Sequence, residues 1–341
     1  MGTGSPASSG DGAWKKLLLP AAALAILLAY NALCTPGFFA IEIRDGRVFG
    51  TLIDILNHGS KKGILALGMT LVIATSGVDL SVGAVMAVCG AIAASLVVAG
   101  HGAGVAIVAA LGAGMIGGLW NGALVTFLRL QPIVATLVLM VMGRGIAQLL
   151  TDGLIVTFQD PTLSAIGNSA FLGLPFPVTM LAAFFLCVYA ATRRTALGLF
   201  IESVGDSAPA ARLSGVPDRA VTVLTYVVCG LAAGAAGLIE CSYIRAADAN
   251  NAGMTLELDA ILAVVIGGTS LTGGRFNLGG SIVGALLIET LTKTLIMQNV
   301  STDIAPAPKA LVVLGVCLLY SPSLRARLSA FAARRGRASA A

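Results

Sequence analysis

Charge is scarce in this sequence: Asp, Glu, Lys and Arg make up 11% of its 341 residues, against roughly a quarter in soluble globular proteins. Aromatic residues contribute only 6%, whereas 57% of the residues are hydrophobic. Apolar runs of about twenty residues recur from end to end, and a helix of that length spans a bilayer. The composition therefore excludes a soluble enzyme and a disordered polymer, and it predicts an all-α polytopic membrane protein.

Several catalytic signatures are also missing. The six cysteines are scattered without a CxxC spacing and are expected to be packing residues. No G-x-x-x-x-G-K-[ST] phosphate loop occurs, so the chain is not expected to hydrolyse ATP itself. The only histidines, His58 and His101, lie near opposite ends of their segments, and no clustered Asp residues are present to hold magnesium. The sequence thus predicts no enzyme, no metal site and no cofactor bound by this chain.

Charges, prolines and glycine pairs divide the sequence into ten predicted spans. The second span carries Lys61 and Lys62 near its start, and the eighth and tenth are short, so eight or nine spans remain possible. The ten ranges are 17–35, 58–76, 80–100, 103–128, 133–151, 175–192, 220–241, 258–270, 279–298 and 308–321.

The basic residues predict the orientation. With both termini in the cytoplasm, the inside segments hold 13 of the 21 Lys and Arg residues and the outside segments hold 6, in accord with the positive-inside rule. Residues 1–14 are predicted to be a disordered cytoplasmic segment, 15–321 a transmembrane domain, and 322–341 a basic cytoplasmic tail. The pair Lys15–Lys16 resembles the start of a signal peptide, but no cleavage site follows, so an uncleaved first span is expected.

Three connections carry features of interest. The largest cytoplasmic connection, Thr192–Arg219, either contains a short surface helix such as Ala208–Leu213 or is an ordinary solvated loop. The glycine-rich reversals Ser76–Gly83 and Gly267–Arg275 resemble each other and suggest an internal duplication. In the first reversal, Asp79 is expected to cap the following helix through the backbone N–H of Ser81 or Val82.

Glycines four residues apart line one face of the fourth and seventh spans. Such faces let helices approach closely in lipid. We expect them to pack helices of the same chain, and dimerisation through them is the alternative. These glycines are Gly114, Gly118 and Gly122 in the fourth span and Gly230 and Gly234 in the seventh.

Polar residues within spans are costly and are candidate functional groups. Glu289 and Lys293 are four apart and are predicted to neutralise each other. Arg144 and Gln148 lie one turn apart near the outer end of the fifth span, where they would face a polar pathway, although Arg144 could instead extend to the outer interface.

The external connection Arg245–Glu257 is dense in polar residues. It is either a solvated turn or the outer mouth of a sugar route. In the second interpretation Asp248, Asn250 and Asn251 lie at the mouth, and Asn121 and Gln148 continue the route deeper.

Three segments carry a family resemblance. Gly63–Val88, Glu202–Val216 and Leu258–Leu287 resemble, in this order, motifs of the ribose-type permease family, and the likeness covers about residues 15–320. Members of that family are membrane subunits of bacterial ABC importers for sugars. Ile43–Asn57 and Ile244–Ile261 are most similar to the galactofuranose permeases of that family.

The resemblance implies an ABC importer permease fold in the bacterial inner membrane. Its partners would be a second permease subunit (an identical copy or a sister permease), cytoplasmic ATPase subunits that hold ATP and Mg, and a periplasmic sugar-binding protein. The family's ATPase-coupling segment maps onto Glu202, Gly205, Ala210, Ala211, Arg212 and Gly215. The segment departs from the usual pattern at Asp206, where Asn is common, and at Pro209, so its helix is expected to begin near Ser207.

The function predicted from the sequence is therefore import of a monosaccharide, galactofuranose or ribose-like. The alternative is a secondary transporter driven by protons or sodium. Such a transporter would need ionisable groups at mid-membrane depth, and the sequence suggests few beyond Glu289 and Lys293.

Overall fold

Helices account for most of the computed structural model, which describes residues 11–44, 47–171, 173–301, 304 and 306–320. The helices in the first half are α1 (Asp11–Cys34), α2 (Thr51–Ala74), α3 (Val82–Val98), α4 (Ala103–Thr126), α5 (Pro132–Leu150) and α6 (Pro161–Asn168). Those in the second half are α7 (Phe176–Arg193), α8 (Leu197–Leu213), α9 (Asp218–Ile244), α10 (Leu256–Ile266), α11 (Leu278–Met297) and α12 (Pro306–Tyr320).

Within the described residues, six short strands form three antiparallel pairs outside the helices. Strands β1 (Ile41–Arg44) and β2 (Arg47–Gly50) make a hairpin before α2, and β4 (Ala170–Phe171) pairs with β5 (Leu174–Pro175). Strand β3 (Val156–Thr157) pairs with β6 (Ala246–Ala247). This pairing links the connection after α5 to the connection after α9.

Six of the described helices are long and apolar enough to cross a membrane. They are α1 from Leu17 onward, α4, α5, α7, α9 and α11. Helix α3 is also apolar but has only 17 residues. A helix lies at each of the ten predicted spans; α6 was not predicted, and of α8 only the part Ala208–Leu213 was considered as a helix.

Helix α2 occupies the centre of the bundle and contacts α7, α9, α10 and α11. It is buried without interruption from Gly59 to Ala74, because its sequence is apolar on every face after Lys62, as expected of a core helix. It begins at Thr51, earlier than the predicted residue 58, and therefore carries Lys61 and Lys62 into the bundle.

The predicted glycine faces pack α4 against α9 within this chain. A Cβ at Gly114 or Gly118 would collide with the backbone carbonyl oxygens of Gly230 and Tyr226, respectively, and one at Gly122 would lie 2.9 Å from the Cα of Val223. Because both glycine faces are covered within the chain, neither is free for a second subunit in this conformation.

The predicted terminal segments are described only in part. Asp11–Trp14, expected to be disordered, belong to α1. Residues 1–10 and the predicted basic tail 322–341 lie outside the described residues.

Candidate translocation pathway and coupling site

The guanidinium group of Arg144 on α5 binds the connection between α9 and α10. Its Nη1 atom donates hydrogen bonds to the backbone carbonyls of Ala252 at 2.6 Å and Ala249 at 3.1 Å. One turn further along α5, Gln148 Nε2 donates to Asn250 Oδ1 at 2.8 Å. The two polar residues predicted on this helix thus meet the polar connection predicted at the outer mouth.

Asp248 shapes that connection. Its Oδ1 atom accepts hydrogen bonds from the backbone N–H groups of Asn250 at 3.0 Å and Asn251 at 3.1 Å, and its Oδ2 atom accepts one from Asn251 Nδ2 at 2.8 Å. Partial burial alone would raise the pKa of Asp248, but these hydrogen bonds and the charge of Arg144 hold it below its ordinary value. The group is therefore a carboxylate at neutral pH, and it fixes the turn that presents the Asn250 amide.

A cavity of about 490 Å³ lies beside Arg144 and opens to the surface of the chain. Its polar groups are a guanidinium, an amide, a hydroxyl and a carboxylate, set among apolar side chains. This mixture suits a small polar ligand with several hydroxyl groups. The lining residues are Ala84, Met140, Val141, Arg144, Gly145, Gln148, Met254, Thr255 and Glu257.

Two of these residues were missed as individual site residues, although the predicted mouth segment included them. Thr255 has a positive φ of 63° and directly precedes α10, and Glu257 is half-buried in the first turn of that helix. The feature of the sequence that could have indicated them is Gly253, which precedes both residues. Its backbone lies against Gly83 at the start of α3, and a Cβ on either glycine would collide with the carbonyl oxygen of the other. This close contact brings the N-terminal ends of α3 and α10 together beside the cavity.

Asn121 does not lie on this cavity. It is fully buried on α4, where its Nδ2 donates to Ser81 Oγ at 2.8 Å and to Asp79 Oδ1 at 3.3 Å. Asp79 also accepts the backbone N–H of Ser81 at 2.9 Å, as predicted. Asn121 therefore anchors the turn before α3 and does not extend the route that begins at Gln148.

The three segments that carry the family resemblance meet at one junction. Gly274 N–H donates to the carbonyl of Ala74 at the end of α2, and Ser76 Oγ donates to the carbonyls of Thr272 and Gly205 at 2.8 and 2.9 Å. A Cβ on Gly205 would collide with the carbonyl oxygen of Ala74. We call this set (Ala74, Ser76, Gly205, Thr272 and Gly274) the coupling junction.

The helix predicted to begin near Ser207 is the second part of α8, which has a break at that residue. Ser207 is non-helical, with φ −163° and ψ 102°, and the segment Ala208–Leu213 follows it. An additional helical segment, 197–206, precedes the break and was not predicted.

The six predicted coupling residues divide between surface and interior. Ala210, Arg212 and Gly215 are exposed and Glu202 is half-buried, whereas Gly205 and Ala211 are buried. Arg212 forms a two-pronged ion pair with Asp218 at the start of α9, with Nε 3.0 Å from Oδ1. The exposed residues are therefore available to a partner, and the buried ones hold the segment against the bundle.

A buried charge cluster, formed by Lys62, Lys309, Asp259 and Glu289, lies between α2, α10, α11 and α12. Lys62 Nζ lies 2.8 Å from Asp259 Oδ2 and 2.9 Å from Glu289 Oε2, and Lys309 Nζ lies 3.5 Å from Asp259 Oδ2. Two cations thus face two carboxylates, as burial of charge requires.

The predicted pairing of Glu289 with Lys293 is wrong. Glu289 contacts Lys62, while Lys293 Nζ lies 3.0 Å from Asp54 Oδ2. The long Lys62 side chain reaches Glu289 inside the bundle, and Lys293, one helical turn nearer the C-terminal end of α11, contacts the more exposed Asp54. Ionisable groups inside the bundle are thus more numerous than the sequence suggested, because Lys61 also pairs with Glu240.

Comparison with known proteins connects these features to a family. The family described as "Branched-chain amino acid transport system / permease component" matches residues 51–321. The chain is 50% identical over 299 residues to the galactofuranose transporter permease protein YtfT of Escherichia coli (strain K12), covering 88% of each chain.

Two further relatives cover most of the chain. It is 40% identical to the fructose import permease protein FruF of Bifidobacterium longum (strain NCC 2705), over 82% of this chain and 80% of that one. It is 38% identical to the ribose import permease protein RbsC of E. coli (strain K12), over 86% and 89%. No solved structure matches the chain.

Proposed function

The chain belongs to this family of transport-system permease components, and from that premise we propose that it is the membrane subunit of a bacterial ABC importer for a monosaccharide. The observation that carries the sugar assignment is its 50% identity to a galactofuranose permease over 88% of both chains. Galactofuranose is the proposed substrate, and ATP is hydrolysed by partner subunits. A periplasmic binding protein delivers the sugar, and a second permease subunit completes the assembly.

We propose ten spans with both termini in the cytoplasm. The four helices α2, α3, α10 and α12 join the six long apolar ones in crossing or entering the membrane. The location of Lys61 and Lys62 within α2 supports this orientation, because it removes two of the six basic residues counted outside. A reporter thiol at Ser207→Cys, in a chain without Cys34, Cys187 and Cys317, should react with an impermeant reagent only from the cytoplasmic side. Reaction from the periplasm would contradict the orientation.

The cavity beside Arg144 is the proposed sugar route. Its opening on the surface of the chain fits a pathway completed by the second permease subunit. Gln148 and Thr255 supply uncharged hydrogen-bonding groups, and Arg144 and Glu257 supply charged ones, so hydroxyl groups of a sugar can replace water there. Since the cavity is open and partly apolar, it favours weak binding, which lets a substrate leave.

The coupling junction is the proposed link between ATP hydrolysis and this route. The exposed part of α8 (Ala210, Arg212 and Gly215) would dock on the ATPase. Its movement would pass through Gly205 to the end of α2 and to the connection before α11. Because Gly205 lies directly against the Ala74 backbone and Ser76 bonds the carbonyls of Gly205 and Thr272, a shift of α8 would displace both neighbouring segments as rigid bodies, as alternating access requires.

Charge at Arg212 provides the test of coupling. With the partner ATPase and sugar-loaded binding protein present, Arg212→Glu should abolish stimulation of ATP hydrolysis while the complex still assembles in the membrane. The double variant Arg212→Glu/Asp218→Arg restores the ion pair but leaves the opposite charge at the docking surface. It should remain uncoupled, and recovery of stimulation would show that Arg212 acts through its pair with Asp218 and not by docking.

The ion-driven alternative needs titratable groups that can change charge during transport. The charge cluster now places ionisable residues inside the bundle, but each contacts a partner of opposite charge. That pairing supports a structural role, and the family membership supports the ATP-driven importer.

A further inference from the structure

A second cavity, of about 460 Å³, lies between α2, α7 and α9 and is almost entirely apolar. Its lining includes Ile64 from α2, Phe184 and Val188 from α7, and Leu231 from α9. Cys187 also lines it and is exposed. The cavity is therefore a groove that opens along α7 towards the surroundings of the bundle, which are lipid in a membrane.

The groove has the depth of one bilayer leaflet. It extends along α7 from Met180 to Thr192, which at 1.5 Å per residue is about 18 Å. Half of a hydrocarbon core of about 30 Å is about 15 Å. A groove of this length in an apolar wall accommodates a lipid acyl chain.

Two cations stand at the cytoplasmic end of the groove. Its last lining residues, Thr192 and Leu197, flank Arg193 and Arg194 in the sequence. Both arginines are exposed, and the Arg193 guanidinium lies 5.4 Å from the centre of the Phe276 ring, which orients it. Neither arginine forms an ion pair with a carboxylate within the described part of the chain. The groove mouth thus has positive charge without a protein counter-charge.

We propose that this groove binds an anionic phospholipid of the cytoplasmic leaflet, with one acyl chain between α2, α7 and α9 and its phosphate on Arg193 and Arg194. Arginine matches phosphate oxygens with two parallel hydrogen bonds, and basic sites between helices on the cytoplasmic side bind anionic headgroups. The lipid would lie directly beside the start of α8. The inference uses the proposed orientation only to choose the leaflet.

Cys187 makes occupancy measurable in the intact protein. In mixed detergent micelles, the rate of Cys187 alkylation by a membrane-permeant maleimide would be followed as phosphatidylglycerol is added. Cys34 on α1 is also exposed and does not line the groove, so it reports any general effect of lipid on the reagent. Phosphatidylcholine at the same mole fraction tests the need for negative charge. None of these measurements depends on transport or on topology.

Phosphatidylglycerol should protect Cys187 and leave Cys34 unchanged, whereas phosphatidylcholine should protect much less. Each arginine near a membrane surface contributes about a fivefold gain in affinity for anionic lipid, so Arg193→Gln/Arg194→Gln should raise the half-protecting concentration about 30-fold. Arg129→Gln, which removes an exposed arginine from the turn between α4 and α5, should have no such effect.

Three results would overturn the proposal: equal protection by both lipids, no protection of Cys187, or unchanged protection in the double arginine variant. If the double variant does not fold, Arg194→Gln alone should still weaken protection, because Arg194 stacks on no aromatic ring among the described residues. Protein that fails to transport but retains selective lipid protection would separate this proposal from the proposed function.

Discussion

Lys62 holds the buried charge cluster together, so its replacement by methionine is the most informative change. The substitution keeps the length of the side chain and its apolar stem. It removes the ammonium group that lies 2.8 Å from Asp259 and 2.9 Å from Glu289. Lys309, at 3.5 Å, remains near Asp259, but Glu289, which is 4% exposed, loses its close cation.

The size of the effect follows from burial. At an effective dielectric constant of about 20, each close contact is an attraction of about 6 kcal/mol, most of which offsets the cost of removing the charges from water. Breaking such a group by deleting one member leaves that cost uncompensated. Lys62→Met should therefore lower the free energy of unfolding by about 3–5 kcal/mol, or about two to four orders of magnitude in the unfolding equilibrium.

The matched control is Lys293→Met on α11. Its partner Asp54 has a half-exposed side chain, so water can solvate the carboxylate after the lysine is removed. The loss there should be under about 1 kcal/mol. Unfolding by increasing SDS in mixed micelles, followed by circular dichroism, compares the two variants under the same conditions.

A double variant separates charge balance from packing. Lys62→Met/Glu289→Gln leaves Lys309 facing Asp259, so the cluster keeps equal numbers of positive and negative charges. It should recover most of the stability lost in Lys62→Met. The reasoning is refuted if Lys62→Met destabilises the protein no more than Lys293→Met does. It is also refuted if the stability lost in the double variant equals the sum of the losses measured for Lys62→Met and Glu289→Gln separately.

Three further predictions concern helix packing, the sugar route and coupling. Gly118→Val should destabilise the bundle by about 1–3 kcal/mol, because its side chain would force α4 away from the backbone of α9. The control in the same unfolding assay is Gly112→Val, since a Cβ at Gly112 meets open space. Gln148→Leu and Asn250→Leu each remove one partner of a 2.8 Å hydrogen bond beside the cavity. Each variant should insert normally in the membrane and reduce sugar uptake about tenfold. Uptake at the wild-type rate in both variants would show that the sugar route lies elsewhere. Gly205→Leu should abolish stimulated ATP hydrolysis, since the side chain would separate α8 from the end of α2; normal stimulation would show that the junction does not transmit the movement.

The helices could be predicted from the sequence because the length of an apolar run depends only on consecutive residues. The structure has a helix at every predicted span, and six of these helices are long and apolar enough to cross a membrane. The helix predicted to begin near Ser207 is the second part of α8, where Pro209 limits the positions at which a helix can begin. The family resemblance was confirmed by the match over residues 51–321. The helical segment before Ser207 was missed because its charges and glycines resemble those of a solvated loop.

Contacts between distant segments were harder to predict. Spacing along one helix suggested that Glu289 pairs with Lys293, but the partner came from α2, over two hundred residues earlier in the chain. Likewise, Asn121 was grouped with Gln148 by polarity alone, and its neighbour proved to be the turn before α3. Spacing specifies which side chains share a helix face, but the choice between partners depends on which helices are adjacent.

Sugar uptake into proteoliposomes tests the central claim most directly. The chain would be reconstituted with its partner ATPase and its second permease subunit, and uptake of radiolabelled galactofuranose would be measured with the loaded binding protein outside and ATP inside. Uptake should require ATP, stop with vanadate, and persist when ionophores collapse the proton and sodium gradients. Uptake by this chain alone, driven by an imposed ion gradient without ATP, would contradict the account.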